Sequence, residues 1–143
     1  MAYKFVEDTT VSDVAFEAEA PTVQELFASC GAALINTMIK NLADIKPRIK
    51  RVFSIETEDI EKLLFDFLEK LVFYKDTEQL VFNRFESDIR ESSGNWNGIF
   101  SVYGDKLDPK RHEFLVDVKA VTMHMFEIEK TDKGWFARAV LDI

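Results

Sequence analysis

The C-terminal stretch restricts the fold more than any other part of the chain. Val116 to Glu129 is dense in β-branched and aromatic residues, and Trp135 to Leu141 alternates apolar with polar side chains. Between them, Thr131-Asp132-Lys133-Gly134 has the short, glycine-containing form of a hairpin connection. Two long strands joined so tightly must pair antiparallel, so the architecture has to be built around an antiparallel sheet.

A second strand signal lies near the N-terminus. Val14, Phe16, Ala18 and Ala20 alternate with Asp13, Ala15, Glu17 and Glu19, the period of two of a half-buried strand. Tyr3-Lys4-Phe5-Val6 can pair with it. Arg51 to Glu56 reads as a short strand and Trp96 to Gly104 as another, after a turn at Gly94-Asn95. Leu80 to Ile89 fits two readings, because Phe82, Phe85 and Ile89 have helical spacing while a strand is equally allowed.

Two helices interrupt the strands. Pro21-Thr22 opens the first, with Thr22 and Glu25 at capping-box spacing. Val23, Leu26, Phe27, Cys30, Leu34, Thr37 and Met38 share one face, and the pattern ends near Asn41. Glu58, Asp59 and Glu61 gather at the start of the second, where carboxylates suit the positive end of the macrodipole. Ile60, Leu63, Leu64, Phe67, Leu68, Leu71 and Val72 form its stripe; Phe65, Phe73 and Tyr74 widen it, predicting cover on more than one side. Only two helices among so many strands argues against a doubly wound parallel sheet. The expected fold is α+β: one domain over residues 1–143, a mainly antiparallel sheet or sandwich with two principal helices packed on it.

The 143 residues suit a single domain able to bury a sizeable core, to which thirteen Phe contribute. Against 26 Asp and Glu stand 18 Lys and Arg, a net charge of −8 that opposes stable binding to a phosphate backbone. The one dense basic run, Lys46-Pro47-Arg48-Ile49-Lys50-Arg51, sits between periodic segments and reads as a solvated connection. Cys30 is the single cysteine and lies on a helix stripe, which excludes an internal disulfide and a multi-thiolate zinc site. Met1 to Asp8 lacks the apolar core of a signal peptide, and no run approaches the length of a membrane span. A cytoplasmic protein without membrane attachment is expected.

Phosphate-loop, dinucleotide, zincin, nucleophile-elbow and EF-hand patterns are all absent. The residues with chemistry to offer are few. His112 and His124 can act as bases or ligands, or simply hold a loop and a strand. Lys119 and Arg138 fall on the terminal strands, where they can pair with carboxylates or fill a wet sheet face. Asp13 begins one strand and Asp142 ends another, with the Ile143 carboxylate beside it. Were the two Asp residues to meet in space, they would offer hard oxygens to calcium or magnesium; periodicity alone does not bring them together.

Asp108-Pro109-Lys110-Arg111-His112-Glu113, followed by Val118-Lys119-Ala120-Val121-Thr122-Met123-His124, resembles the signature of the archeases. Ser12-Asp13-Val14 leading into Glu17, Asp66-Phe67-Leu68 running to Tyr74-Lys75-Asp76-Thr77-Glu78, and Ala137 to Ile143 agree in order and spacing. The resemblance implies a small acidic accessory factor, not itself an enzyme, that acts on the GTP-dependent tRNA-splicing RNA ligase. It would promote ligase guanylylation and multiple turnover. It further implies calcium, or another divalent metal, held by Asp13, Asp142 and the backbone or terminal carboxylate of Ile143. His112, Lys119, His124 and Arg138 would support the face turned to the ligase. The sequence departs from the family where His-Thr-Ala-Asp is usual: here it reads Thr10-Val11-Ser12-Asp13, with Ala15 for a Gly. Two other classes compete. One is a chaperone-like modulator of nucleic-acid-modifying enzymes, which needs an exposed apolar patch. The other is a metal-dependent phosphoester hydrolase using Asp13, Asp142 and His124, for which no nucleophile or oxyanion motif is present.

Overall fold

The computed structural model describes residues 2–6 and 12–143. In chain order the elements are β1 (Ala2–Val6), β2 (Asp13–Ala20), α1 (Val23–Met38), β3 (Ile49–Thr57), α2 (Ile60–Glu78), β4 (Leu80–Ser92), β5 (Asn95–Lys106), β6 (Ala120–Thr131) and β7 (Gly134–Asp142), with one 3₁₀ turn at Leu42–Asp44. They form two antiparallel sheets, ordered β1-β2-β7-β6 and β3-β5-β4.

Both helices lie between the sheets. α1 touches β1, β2 and β7 of the four-stranded sheet and β4 of the other, while α2 touches β6 on one side and β3, β4 and β5 on the other. The sequence explains the sandwiching. Ser29 to Ile35 is buried without a break, about two turns, so α1 has no side left for water there. The α+β expectation holds; a second sheet covers the helix faces that a single sheet would leave exposed. Phe27, Phe67 and Phe100 fill the space between α1, α2 and β5, with Phe67 and Phe100 ring centroids 4.8 Å apart. Cys30 is wholly buried in this layer, which pushes its thiol pKa up and leaves it chemically inert.

Local chemistry sets the boundaries. Thr22 Oγ1 accepts from Glu25 N at 3.1 Å and starts α1; Asp59 accepts from Lys62 N at 2.7 Å and starts α2. α1 stops at Met38, earlier than the apolar spacing predicts. Ile39 turns extended and bridges to Phe114, with Lys40 N donating to Glu113 O and Leu115 N to Met38 O. Beyond this pairing the Val118 carbonyl accepts from Lys75 Nζ of α2 and not from a strand neighbour, and β6 begins at Ala120, not at Val116.

Leu80 to Ile89 resolves as strand. Gln79, left-handed at φ 56°, ends α2 and delivers the chain straight into β4. A register shift between Phe82 and Arg84 separates the buried run Leu80-Val81-Phe82 from the alternating remainder, which is how aromatic residues at helical spacing fit a strand. Ser93 and Gly94, both at positive φ, make the two-residue turn into β5. The basic run is a connection only as far as Arg48, since Ile49, Lys50 and Arg51 already belong to β3.

Candidate functional site

The outward face of the four-stranded sheet follows from the alternation in β2. Phe16, Ala18 and Ala20 turn to the core, so Asp13, Ala15, Glu17 and Glu19 turn away from it. Their partners on β7 are Asp142, Val140, Arg138 and Phe136 in that order. Asp13 therefore stands directly opposite Asp142.

The type of pairing brings them close. Ile143 N donates to Ser12 O at 3.0 Å, which makes the next pair inward, Asp13 with Asp142, the non-hydrogen-bonded kind. In such a pair the Cα atoms are about 4.5 Å apart and the side chains leave on the same face. Like charges directly opposite on a sheet face are destabilising, and a cation shared by the two carboxylates would offset that. Both side chains remain partly accessible. On its other side Asp142 faces only the small Ala120, and its carbonyl accepts from Lys119 N at 2.8 Å.

The donor chemistry fits a hard divalent cation. Asp13 and Asp142 supply carboxylate oxygens on one face, and calcium takes six to eight oxygens with water or neighbouring groups making up the remainder. Among the described residues no group of three His, Cys, Asp or Glu side chains gathers as a metal cluster; what they bring together at this place is the pair. Thr10 and Val11, where the sequence departs from the family pattern, lie outside the described residues.

The other candidates fall in different settings. Arg138 shares the outward face about 13 Å from Asp142 along β7. It sits in a rank of opposite charges that crosses all four strands: Lys4, Glu17, Arg138, Glu127. Its guanidinium is 2.8 Å from Glu17 and 3.3 Å from Glu127. Lys119 is exposed just before β6. His124 is exposed within a bulge between Thr122 and Glu127, where four residues of β6 oppose Ala139 alone and Met125 takes a positive φ of 54°.

His112 is buried, not on the accessible face. Its Nδ1 accepts from Asp108 N at 3.0 Å while its own N–H returns to Asp108 O at 2.8 Å. Lys110 N and Arg111 Nε complete the turn by donating to the Asp108 carboxylate, whose pKa these contacts hold below the usual range. The most distinctive stretch of the sequence is thus a self-closing loop that leads the chain from β5 to β6. Asp105 is buried beside it, with Arg111 Nη2 at 3.3 Å, although its Oδ2 makes no aligned hydrogen bond.

One member of this region was not singled out by spacing arguments. Lys75 lies on the buried stripe of α2, four residues after Leu71, and reaches the segment just before Lys119. A lysine at an apolar helical position was the available signal.

The family model of the Archease protein family matches residues 3–143. The archease of Pyrococcus furiosus is 35% identical over 133 residues, covering 92% of this chain and 93% of that protein. That of Methanosarcina mazei is 33% identical over 142 residues, covering 99% and 95%. A Methanobacterium thermoautotrophicum protein solved in solution superposes with a TM-score of 0.84 at 30% identity, covering 99% of this chain and 98% of that one. A Thermotoga maritima archease, described as a possible chaperone, shares the fold at a TM-score of 0.61 and 17% identity, covering 94% and 93%. With the family pattern matched from the first strand to the last residue, this chain is a member of the archease family.

Proposed function

We propose that this protein is a divalent-cation-binding accessory factor of the GTP-dependent tRNA-splicing RNA ligase, promoting guanylylation of the ligase and so its repeated turnover. Family membership supports the partner. The observation that carries the reading is the direct opposition of Asp13 and Asp142 across β2 and β7. Calcium bound there would draw oxygens from both carboxylates. The chain's own part is to hold those oxygens on a rigid sheet end and to present them on an acidic body. A partner with a cationic, metal-bearing site would be steered to such a surface, and its encounter would weaken with salt.

The test is RNA ligation with limiting ligase, GTP and divalent metal, comparing wild type with Asp13→Ala and Asp142→Ala. Wild type should drive product well past one equivalent of ligase, and either variant should lose most of that stimulation. Full stimulation by both variants would dismiss the carboxylate pair.

A chaperone-like role has one observation in its favour: Phe114, Leu115, Val116, Met123 and Met125 are exposed on the β5–β6 connection and the β6 bulge. Methionine surfaces adapt to varied partners. Binding of a hydrophobic dye by the native protein, together with protection of an unrelated enzyme from aggregation, would favour that reading; neither effect is expected if the ligase is the sole client.

A further inference from the structure

Lys75 is a buried cation that the proposed metal chemistry does not use directly. It sits in the last turn of α2 with only 7% of its side chain exposed. Its ammonium has three donors, and each meets an oxygen: the Asp76 carboxylate, Asp117 Oδ1 at 2.7 Å and Val118 O at 2.8 Å. Burial works against the charge, but the hydrogen bonds to Asp117 and Asp76 outweigh it and hold the lysine pKa above its ordinary value.

The two contacts from beyond the helix are adjacent in sequence, at the end of the long β5–β6 connection. The next residue, Lys119, donates its N–H to Asp142 O, and Ala120 is the register partner of Asp142. Three consecutive residues, Asp117 to Lys119, therefore link the Lys75 ammonium to the backbone of one proposed metal ligand, with hydrogen bonds at both ends. Nothing else hydrogen-bonds Asp117 or Val118 to the helical layer among the described residues.

We infer that Lys75 is a positioning residue: by pinning Asp117 and Val118 to α2, it fixes the segment from which Lys119 grips Asp142, and so holds the Asp13/Asp142 pair in its facing arrangement. This rests on the reading that the pair binds a divalent cation. Groups that orient metal ligands from outside commonly change metal affinity by about 10- to 100-fold when removed. A Met in place of Lys75 keeps the stem and drops the charge. Asp76 and Asp117 have side chains 54% and 62% exposed, so water can take over their solvation and the fold should survive.

The experiment measures two quantities on wild type, Lys75→Met, Lys75→Arg and Asp142→Ala: calcium affinity by calorimetric titration, and amide exchange at Lys119 relative to a core amide such as Val102. Lys75→Met is expected to leave Val102 protection in place, speed Lys119 exchange at least about tenfold and weaken calcium about tenfold. Lys75→Arg should recover both in part. Asp117→Ala, which removes one arm of the pin without touching the helix, should move both quantities the same way and serves if Lys75→Met does not fold. Unchanged Lys119 protection in the folded variants would overturn the proposal, as would lost protection with wild-type calcium affinity. Calcium that binds wild type and Asp142→Ala alike would instead overturn the metal reading, and is told apart because Lys119 exchange still responds to Lys75→Met.

Discussion

At the scale of single residues, the register that sets Asp13 against Asp142 gives a direct prediction: calcium should raise the melting temperature of wild type but not of Asp142→Asn, and equal rises in paired melting curves would contradict it. Asp13 and Asp142 stand out in the sequence as carboxylates at strand ends, yet only the register shows them face to face, and register depends on pairing between residues more than a hundred positions apart. His112 belongs to the most recognisable motif and serves the turn around Asp108, a role that motif matching does not reveal. Lys75 is buried by contacts with Asp117 and Val118, some forty positions away, which helical spacing does not reveal. At Gly104 a Cβ would run into the Val81 carbonyl and the Phe82 backbone beside the β4 irregularity. Gly104→Ala should cost about 3 kcal/mol in denaturant unfolding.

At the scale of elements, periodicity found both helices and the hairpin because each carries its own signal: caps at Thr22 and Asp59, a stripe, a two-residue loop. It left β4 undecided because the register shift after Phe82 breaks the alternation that identifies a strand. It places the start of β6 too early because the Val118 carbonyl is taken by Lys75 of α2 and not by a strand neighbour, a tertiary event. The helices are held between sheets by aromatic packing, so the largest losses should come from the middle layer. Phe67 meets the rings of Phe27, Phe53, Phe85 and Phe100. Phe67→Ala is expected to cost about 3–5 kcal/mol by denaturant melt, whereas the exposed Phe73→Ala should change stability by less than about 1 kcal/mol.

For the whole molecule, charge governs both stability and encounter. Hydrogen bonds from Arg51 and Arg84 hold Glu78 and Glu86 below the usual carboxylate range, and the Lys110 N–H does the same for Asp108. A carboxylate depressed in the folded state adds stability that is fully present above its unfolded pKa and lost as the pH falls through its folded one. Lys75 is raised, so its contribution persists at every pH below the ordinary lysine range and disappears only in strong alkali. Burial, with Asp66 and Asp76 nearby, raises Glu69 and opposes the trend in acid to a small degree. The melting temperature should therefore fall as the pH drops below about 4, and a rise over that interval would contradict these assignments. At neutral pH the net charge of −8 points to an electrostatically steered partner, so stimulation should decline as salt rises from about 50 to about 300 millimolar, which shortens the Debye length from roughly 14 to roughly 6 Å.

The most direct test of the accessory role is a ligation time course with limiting cognate ligase, GTP and divalent metal, with and without this protein. Product rising well beyond one equivalent of ligase only when the protein is present is the expected result. Equal product and equal ligase guanylylation in both reactions would contradict it.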